Sequence, residues 1–232
     1  MNELIAATDR VLLRQDYPGG YTLLRVTTEL SAKILPGHAL RIDGALWPVL
    51  QPAPAPAWVE CLQRDVAPPD PDHPLSVSGP FGAPFDLDAA TPRALLFADN
   101  DGLAQIVFLA RMLRARQPRV KPFAIFDLQP PLPFRPPPSK IITPGLPAGV
   151  IAALPLLEDW NIPNRIACPC GDQAGCFEGK ATELARGWLD ISQGVADVTA
   201  FACGGHALLD AVRELADRYQ LPRQTRAAVG AR

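Results

Sequence analysis

The chain has 232 residues, 48% of them hydrophobic and 20% charged, with a formal net charge of −2. That is enough chain for a substantial core, in one large domain or two small ones. With no basic surplus or polybasic run, the balance argues against a nucleic-acid partner or a membrane surface, and the apolar runs are too short to cross a bilayer. The opening MNELIAATDR lacks a basic start followed by an apolar stretch, so no secretion signal is expected. The 5 cysteines are odd in number and unevenly spread, which does not suit a disulfide framework. A cytoplasmic protein is the resulting expectation. The 27 prolines are the anomaly, well above the usual ~5% share. They cluster at 48–56, 68–74 and 130–138, and these stretches are expected to be loops or extended covers.

In chain order, residues 10–17, 21–30, 38–44, 57–66 and 74–79 read as short strands, separated by turn signals such as Pro18-Gly19-Gly20 and Pro36-Gly37. Residues 57–66 alternate, with Trp58, Glu60, Leu62 and Arg64 on one face. Short strands with Pro/Gly turns and no convincing helix predict a small β-barrel over residues 1–90.

From residue 91 the texture changes. Residues 93–99 and 121–128 are continuous apolar runs, as in strands buried on both faces. Residues 139–143 read as a third strand, 164–168 as a fourth and 196–204 as a fifth. Helical spacing covers 102–116, 148–160 with a kink at Pro155, 179–191 and 206–219. The alternation predicts an α/β domain over 91–232, built on a doubly wound, mostly parallel sheet.

Four segments carry a resemblance: LPGHALRI (35–42), SVSGPFGAPFDL (76–87), ALLFADNDGLAQIVFLARML (94–113) and ADVTAFACGGHALLDAVRELA (196–216). In this order they resemble the ferredoxin–NADP reductase superfamily, and most closely its dihydroorotate dehydrogenase electron-transfer subunits. No one segment is specific; their order and spacing are. The resemblance implies a barrel that binds flavin, a sheet domain that binds NAD(P), electron relay to a redox partner protein or catalytic subunit, and a place in an oligomer. It points to Gly79, Pro80 and Gly82 as shaping the crevice, to Gly102 as the surviving glycine of the nucleotide loop, and to Cys203-Gly204-Gly205 as flanking the nicotinamide, with Cys203 the candidate catalytic residue.

The chain departs from the superfamily pattern at its cofactor motifs. In LWPVLQ (46–51), Pro48 is kept, but Trp47 stands where a flavin-binding arginine would be and Leu50 where a serine would be. Trp47 stacking and backbone amides are then the substitute contacts for FAD. The turn ADNDG (98–102) carries Asp99 and Asp101 beside the place of a pyrophosphate, where like charge repels; those acids suit a cation or amine, or one of them caps the helix beginning near Gly102. The last residues carry no cysteine, so the iron–sulfur segment of some electron-transfer subunits is not expected here.

Three cysteines crowd into ACPCGDQAGC (167–176). With 164–168 and 196–204 expected as neighbouring strands, Cys168, Cys170, Cys176 and Cys203 would meet on one rim. Four soft thiolates suit zinc or an iron–sulfur cluster; a redox thiol pair and plain loop thiols are the alternatives. Two functions follow: an electron-transfer oxidoreductase, or a non-catalytic reductase-like scaffold for protein binding.

Overall fold

The computed structural model describes residues 9–70, 73–116, 119–169, 173–192 and 194–229. Strands β1 (Val11–Tyr17), β2 (Tyr21–Thr27), β3 (Ala39–Ile42), β4 (Ala45–Pro54), β5 (Ala57–Arg64) and β6 (Val77–Phe81) form an antiparallel, barrel-type sheet in the order β1-β2-β5-β4-β3-β6. Alternation sorts its side chains. Leu24, Val26, Val59 and Cys61 join Trp47, Leu40 and Ile42 in the barrel core, while Leu23 and Leu62 pack outward against the second half of the molecule.

Strands β7 (Arg93–Asp99), β8 (Lys121–Asp127), β9 (Asn164–Cys168), β10 (Phe177–Glu178), β11 (Val198–Gly204) and β12 (Arg223–Ala227) form a parallel sheet in the order β10-β9-β8-β7-β11-β12. Helix α1 (Leu103–Ala115) covers one face; α3 (Ala181–Ile191) and α4 (His206–Tyr219) cover the other, and α2 (Pro155–Asp159) is a single short turn before β9. Burial on both faces explains the unbroken apolar runs. Leu96, Ala98, Phe126 and Phe201 face α1, whereas Leu95, Phe97, Ile125 and Ala200 face α3 and α4. Helix α1 is also the seam between the halves, since its Phe108 packs into the barrel core. The architecture is the expected one, a β-barrel followed by a doubly wound α/β sheet.

Several local expectations are corrected. Strand β4 carries Pro48, Pro52 and Pro54 within the ladder, with a bulge between Val49 and Gln51. Residues 139–143 are not a strand; one isolated bridge, Pro138 to Ala152, replaces it. Helix over 148–160 shrinks to α2, because Pro155 lacks the amide a helix interior needs and so starts the helix instead of kinking it. The C-terminal end of the proline segment runs beside β9, where Pro137 and Ser139 bond to residues 151–153 and Ala152 bonds to Ile166. The segment's N-terminal end crosses to the barrel, where Pro131 lies against Gly19 and Leu132 is buried.

Candidate functional site

In open α/β sheets, ligands bind at the C-terminal ends of the strands. Here β7 ends on Asp99, β8 on Asp127 and β11 on Gly204, with α1 and α4 starting just beyond. Asp99 dominates this corner. Its Oδ1 accepts from the amides of Asp101 (3.0 Å) and Gly102 (3.1 Å), and its Oδ2 accepts from the amide of Gly205 (2.7 Å). Gly102 is the N-cap of α1 and Gly205 that of α4. One carboxylate therefore sits between two helix N-termini, the position that suits an anion. The helix-capping role weighed from sequence belongs to Asp99 and extends to a second helix.

The neighbouring glycines leave room for this arrangement. A Cβ on Gly204 would stand 2.5 Å from Asp99 Oδ2, and one on Gly102 would overlap the Cys203 carbonyl. Gly102 and Gly204 thus serve close internal packing around Asp99, while Gly205 supplies an amide to it. A dinucleotide pyrophosphate held in the fold's usual way would need the amides that Asp99 already occupies. The residues present do not fit NAD(P) bound by that mode.

Beside Asp99 lies a crevice of about 240 Å³ lined by Arg64, Asn100, Asp101, Asp127, Gln129 and the first turn of α4. Burial holds Asp101 above the ordinary carboxylate range, helped by Asp99 and opposed by Arg64. Burial likewise raises Asp127, against the amide of Ala181 donating to it. Arg64 Nη2 lies 3.9 Å from Asp101 Oδ1, and Lys180 acts on Asp127. The barrel closes over the side of this crevice through Asn100. The Asn100 amide donates to Tyr21 Oη (2.8 Å) and the Gln129 carbonyl (3.1 Å), and its Oδ1 accepts from the Gln129 amide (2.8 Å).

The candidate residues from sequence fall in different places. Cys203 is fully buried beneath the crevice, its thiol donating to Gln105 Oε1 at 3.2 Å, and burial raises its pKa above the ordinary thiol range. Cys203 does not line the crevice. Gln105 in turn donates to the Gly37 carbonyl of the barrel at 3.1 Å, riveting barrel, helix and sheet together. Trp47 is fully buried in the barrel core and has no face for a flavin to stack on; Pro48 beside it is also buried. Leu50 packs on α1. No cation or hydroxyl replaces the missing arginine and serine on β4, so the residues present do not fit an FAD diphosphate there either. Gly79, Pro80 and Gly82 do not line the crevice. Gly79 lies against β3, and Gly82, at φ 89°, is wedged between Gly37 and Val229.

The expected rim of four sulfurs is not formed. Strands β8 and β7 lie between β9 and β11, so Cys168 and Cys203 stand three strand spacings, about 14 Å, apart. Cys170 lies outside the described residues. Among the described residues there is no group of three or more His, Cys, Asp or Glu placed to hold a metal. Cys168 and Cys176 do meet each other. Sequence reading missed Asp127, Tyr21, Asn100 and Gln105. Asp127 alone had a signal, as an acid closing an apolar strand.

No protein-family model and no curated protein matches the chain. Solved structures do. A ferredoxin reductase in carbazole 1,9a-dioxygenase superposes with a TM-score of 0.68 at 14% identity, covering 96% of this chain and 68% of that one. A flavin-based electron-bifurcating NADH-dependent reduced ferredoxin-NADP oxidoreductase gives 0.67 at 13%, covering 95% and 76%. Ferredoxin-NADP+ reductase from Plasmodium falciparum gives 0.61 at 9%, covering 96% and 98%. The fold is ferredoxin–NADP reductase-like. Among the described residues, no helix is long and apolar enough to cross a membrane.

Proposed function

We propose that this chain is a reductase-fold component of an electron-transfer system that works beside a redox partner protein and does not take NAD(P)H on the turn after β7. Fold likeness along nearly the whole chain to reductases supports the class. The restriction rests on one observation, the Asp99 carboxylate bonded to the amides at both helix starts. The solved structures it resembles include ferredoxin reductases, which makes a ferredoxin-type protein the first partner to try. Burial of Trp47 favours a second reading, in which the chain is a scaffold that binds a partner without carrying electrons.

The two readings separate in a spectrum of the protein purified without air and then mixed with FAD. Co-purifying flavin bands, or quenched FAD fluorescence, support a carrier whose flavin is held by contacts other than those of the fold. A colourless protein that leaves FAD fluorescence untouched assigns the scaffold. Under either reading, NADPH is not consumed above background; saturable NADPH oxidation would overturn the restriction drawn from Asp99.

A further inference from the structure

The far corner of the same sheet edge is built from thiols. β9 ends on Cys168, and Cys176 immediately precedes β10. Phe177 pairs with Ala167 and Glu178 with Cys168, so Cys176 enters the neighbouring strand two residues before the position opposite Cys168. Cys168 is fully buried and Cys176 half-buried, and both pack against the same apolar cluster.

The backbone fixes this meeting from three segments. The amides of Ile151 and Ala152 both donate to the Gly175 carbonyl, at 2.8 and 2.7 Å. Gly175, at φ 78°, lies close against Ala152, 3.2 Å from its nitrogen to an added Cβ. The Cys176 amide donates to Gln173, the Gly179 amide to the Cys168 carbonyl, and the Ile166 amide to Ala152. The strand that bears Cys168 and the turn that bears Cys176 are therefore tied to one another and to residues 151–152. Both thiols lie at one end of the β9–β10 pair and pack against the same apolar cluster, which keeps them neighbours on this frame.

Cys61 and Cys203 provide the contrast within the same chain. Each is fully buried, and burial pushes each thiol above the ordinary range. Cys176 goes the other way, because the Cys168 side chain hydrogen-bonds to it and outweighs its burial.

We propose that Cys168 and Cys176 form a redox-active dithiol that closes to an intramolecular disulfide by exchange with a small-molecule disulfide. The Cys176 thiolate attacks one sulfur of the small disulfide, forming a mixed disulfide and releasing one small thiol. Cys168 then gives up its proton to solvent and attacks the Cys176 sulfur, which expels the second small thiol. The protein loses two electrons and two protons, and one disulfide becomes two thiols. Exposure orders the steps, since Cys176 is the reachable sulfur and Cys168 the resolving one. No flavin or nucleotide enters this exchange, so it stands or falls separately from the electron-carrier reading.

The test uses the full chain, purified reduced, then incubated with glutathione disulfide, trapped with an alkylating agent and mapped by peptide mass. In the unaltered protein, a Cys168–Cys176 link is expected, with Cys61 and Cys203 alkylated only after denaturation. C168S is expected to stop at a stable glutathione adduct on Cys176. C176S is expected to oxidise at least tenfold more slowly, and C170S to form the link at the unaltered rate. Mapping the unaltered protein decides the matter even if C168S fails to fold. A persistent glutathione adduct there, a link from Cys176 to Cys170, or one zinc or iron bound per chain that blocks oxidation would overturn the proposal.

Discussion

Two corners of one sheet edge are built in opposite ways. At the end of β7, the helix starts that ordinarily invite an anion are filled by Asp99 from within the chain. At the end of β9, a half-exposed thiol sits over a buried one. The first corner satisfies its own donors and so stabilises; the second places a half-buried thiol beside a fully buried one. The comparison teaches that a fold's usual ligand position is only a set of donors, and a chain can close it with one side chain while placing chemistry elsewhere on the same edge.

The largest expected effect tests how tightly the first corner is closed. Gly102 has φ −91°, a conformation open to any residue, so glycine is needed for space alone. A Cβ there would overlap the Cys203 carbonyl, a backbone atom that cannot swing aside. Gly102→Ala should cost about 3 kcal/mol, the upper part of the usual range for overpacking. Urea unfolding measures it. A cost under about 0.5 kcal/mol would mean that the corner yields easily and that Asp99 is not held by it.

Asp99→Gly comes next. Three amides lose a charged acceptor but gain access to water, for a loss of about 2 kcal/mol. More telling is the ligand response. With the carboxylate gone, the same amides should hold inorganic pyrophosphate, so the melting temperature of the variant should rise with pyrophosphate while that of the unaltered protein stays fixed. Equal behaviour of both proteins would show that these amides do not form an anion seat.

How much of this was legible in the sequence follows from range. The apolar runs of β7, β8 and β11 and the spacing of α1 and α4 depend on residues next to one another, and they read correctly. So did the two-part architecture. β4 did not, because its three prolines argue against a strand. β10 and β12 are short edge strands, and β12 is largely polar. At the site, the acids of ADNDG could be seen, but not that Asp99 reaches an amide 106 residues away. The cysteine rim failed for the same reason, since strand order is not written locally. Cys168 ends β9 and Cys176 lies just before β10, so their pairing is short in sequence where the four-sulfur rim was not.

A smaller effect probes the closure over the first corner. Asn100→Ala removes the bond to Tyr21 that ties barrel to sheet and the two to Gln129 beside β8, a loss of about 1 kcal/mol in this half-exposed setting. Tyr21→Phe removes one of the same bonds. Because the two share a partner, the double variant should lose less than the sum of the singles, by at least about 0.5 kcal/mol. Strict additivity would make the Tyr21 contact incidental.

The smallest effect is one of sign. Burial raises Asp127 in the folded protein, so the native state keeps its proton at a pH where the unfolded chain has released it. Between the ordinary carboxylate value and the raised one, the native state binds more protons, and the Asp127 contribution to stability falls as pH rises, then levels off. Asp101 adds in the same direction. Asp197, on the opposite edge of the sheet, is the counterweight. The Arg93 side chain hydrogen-bonds to it at 2.9 Å and lowers its pKa, so its contribution is present above the ordinary carboxylate value and is lost as pH falls through the lowered one. Asp127→Asn keeps an oxygen for the Ala181 amide but removes the titration. It should therefore flatten the fall in stability through weakly acidic pH and leave the protein at least as stable at neutral pH. Asp197→Asn should instead lower stability at neutral pH and flatten the loss at strongly acidic pH. Melting curves across pH 2 to 7 (about the span of carboxylate titration) read both. If the two substitutions change the profile in the same direction, the acids of the crevice are not strained by burial, and Asp99 alone would account for the character of that corner.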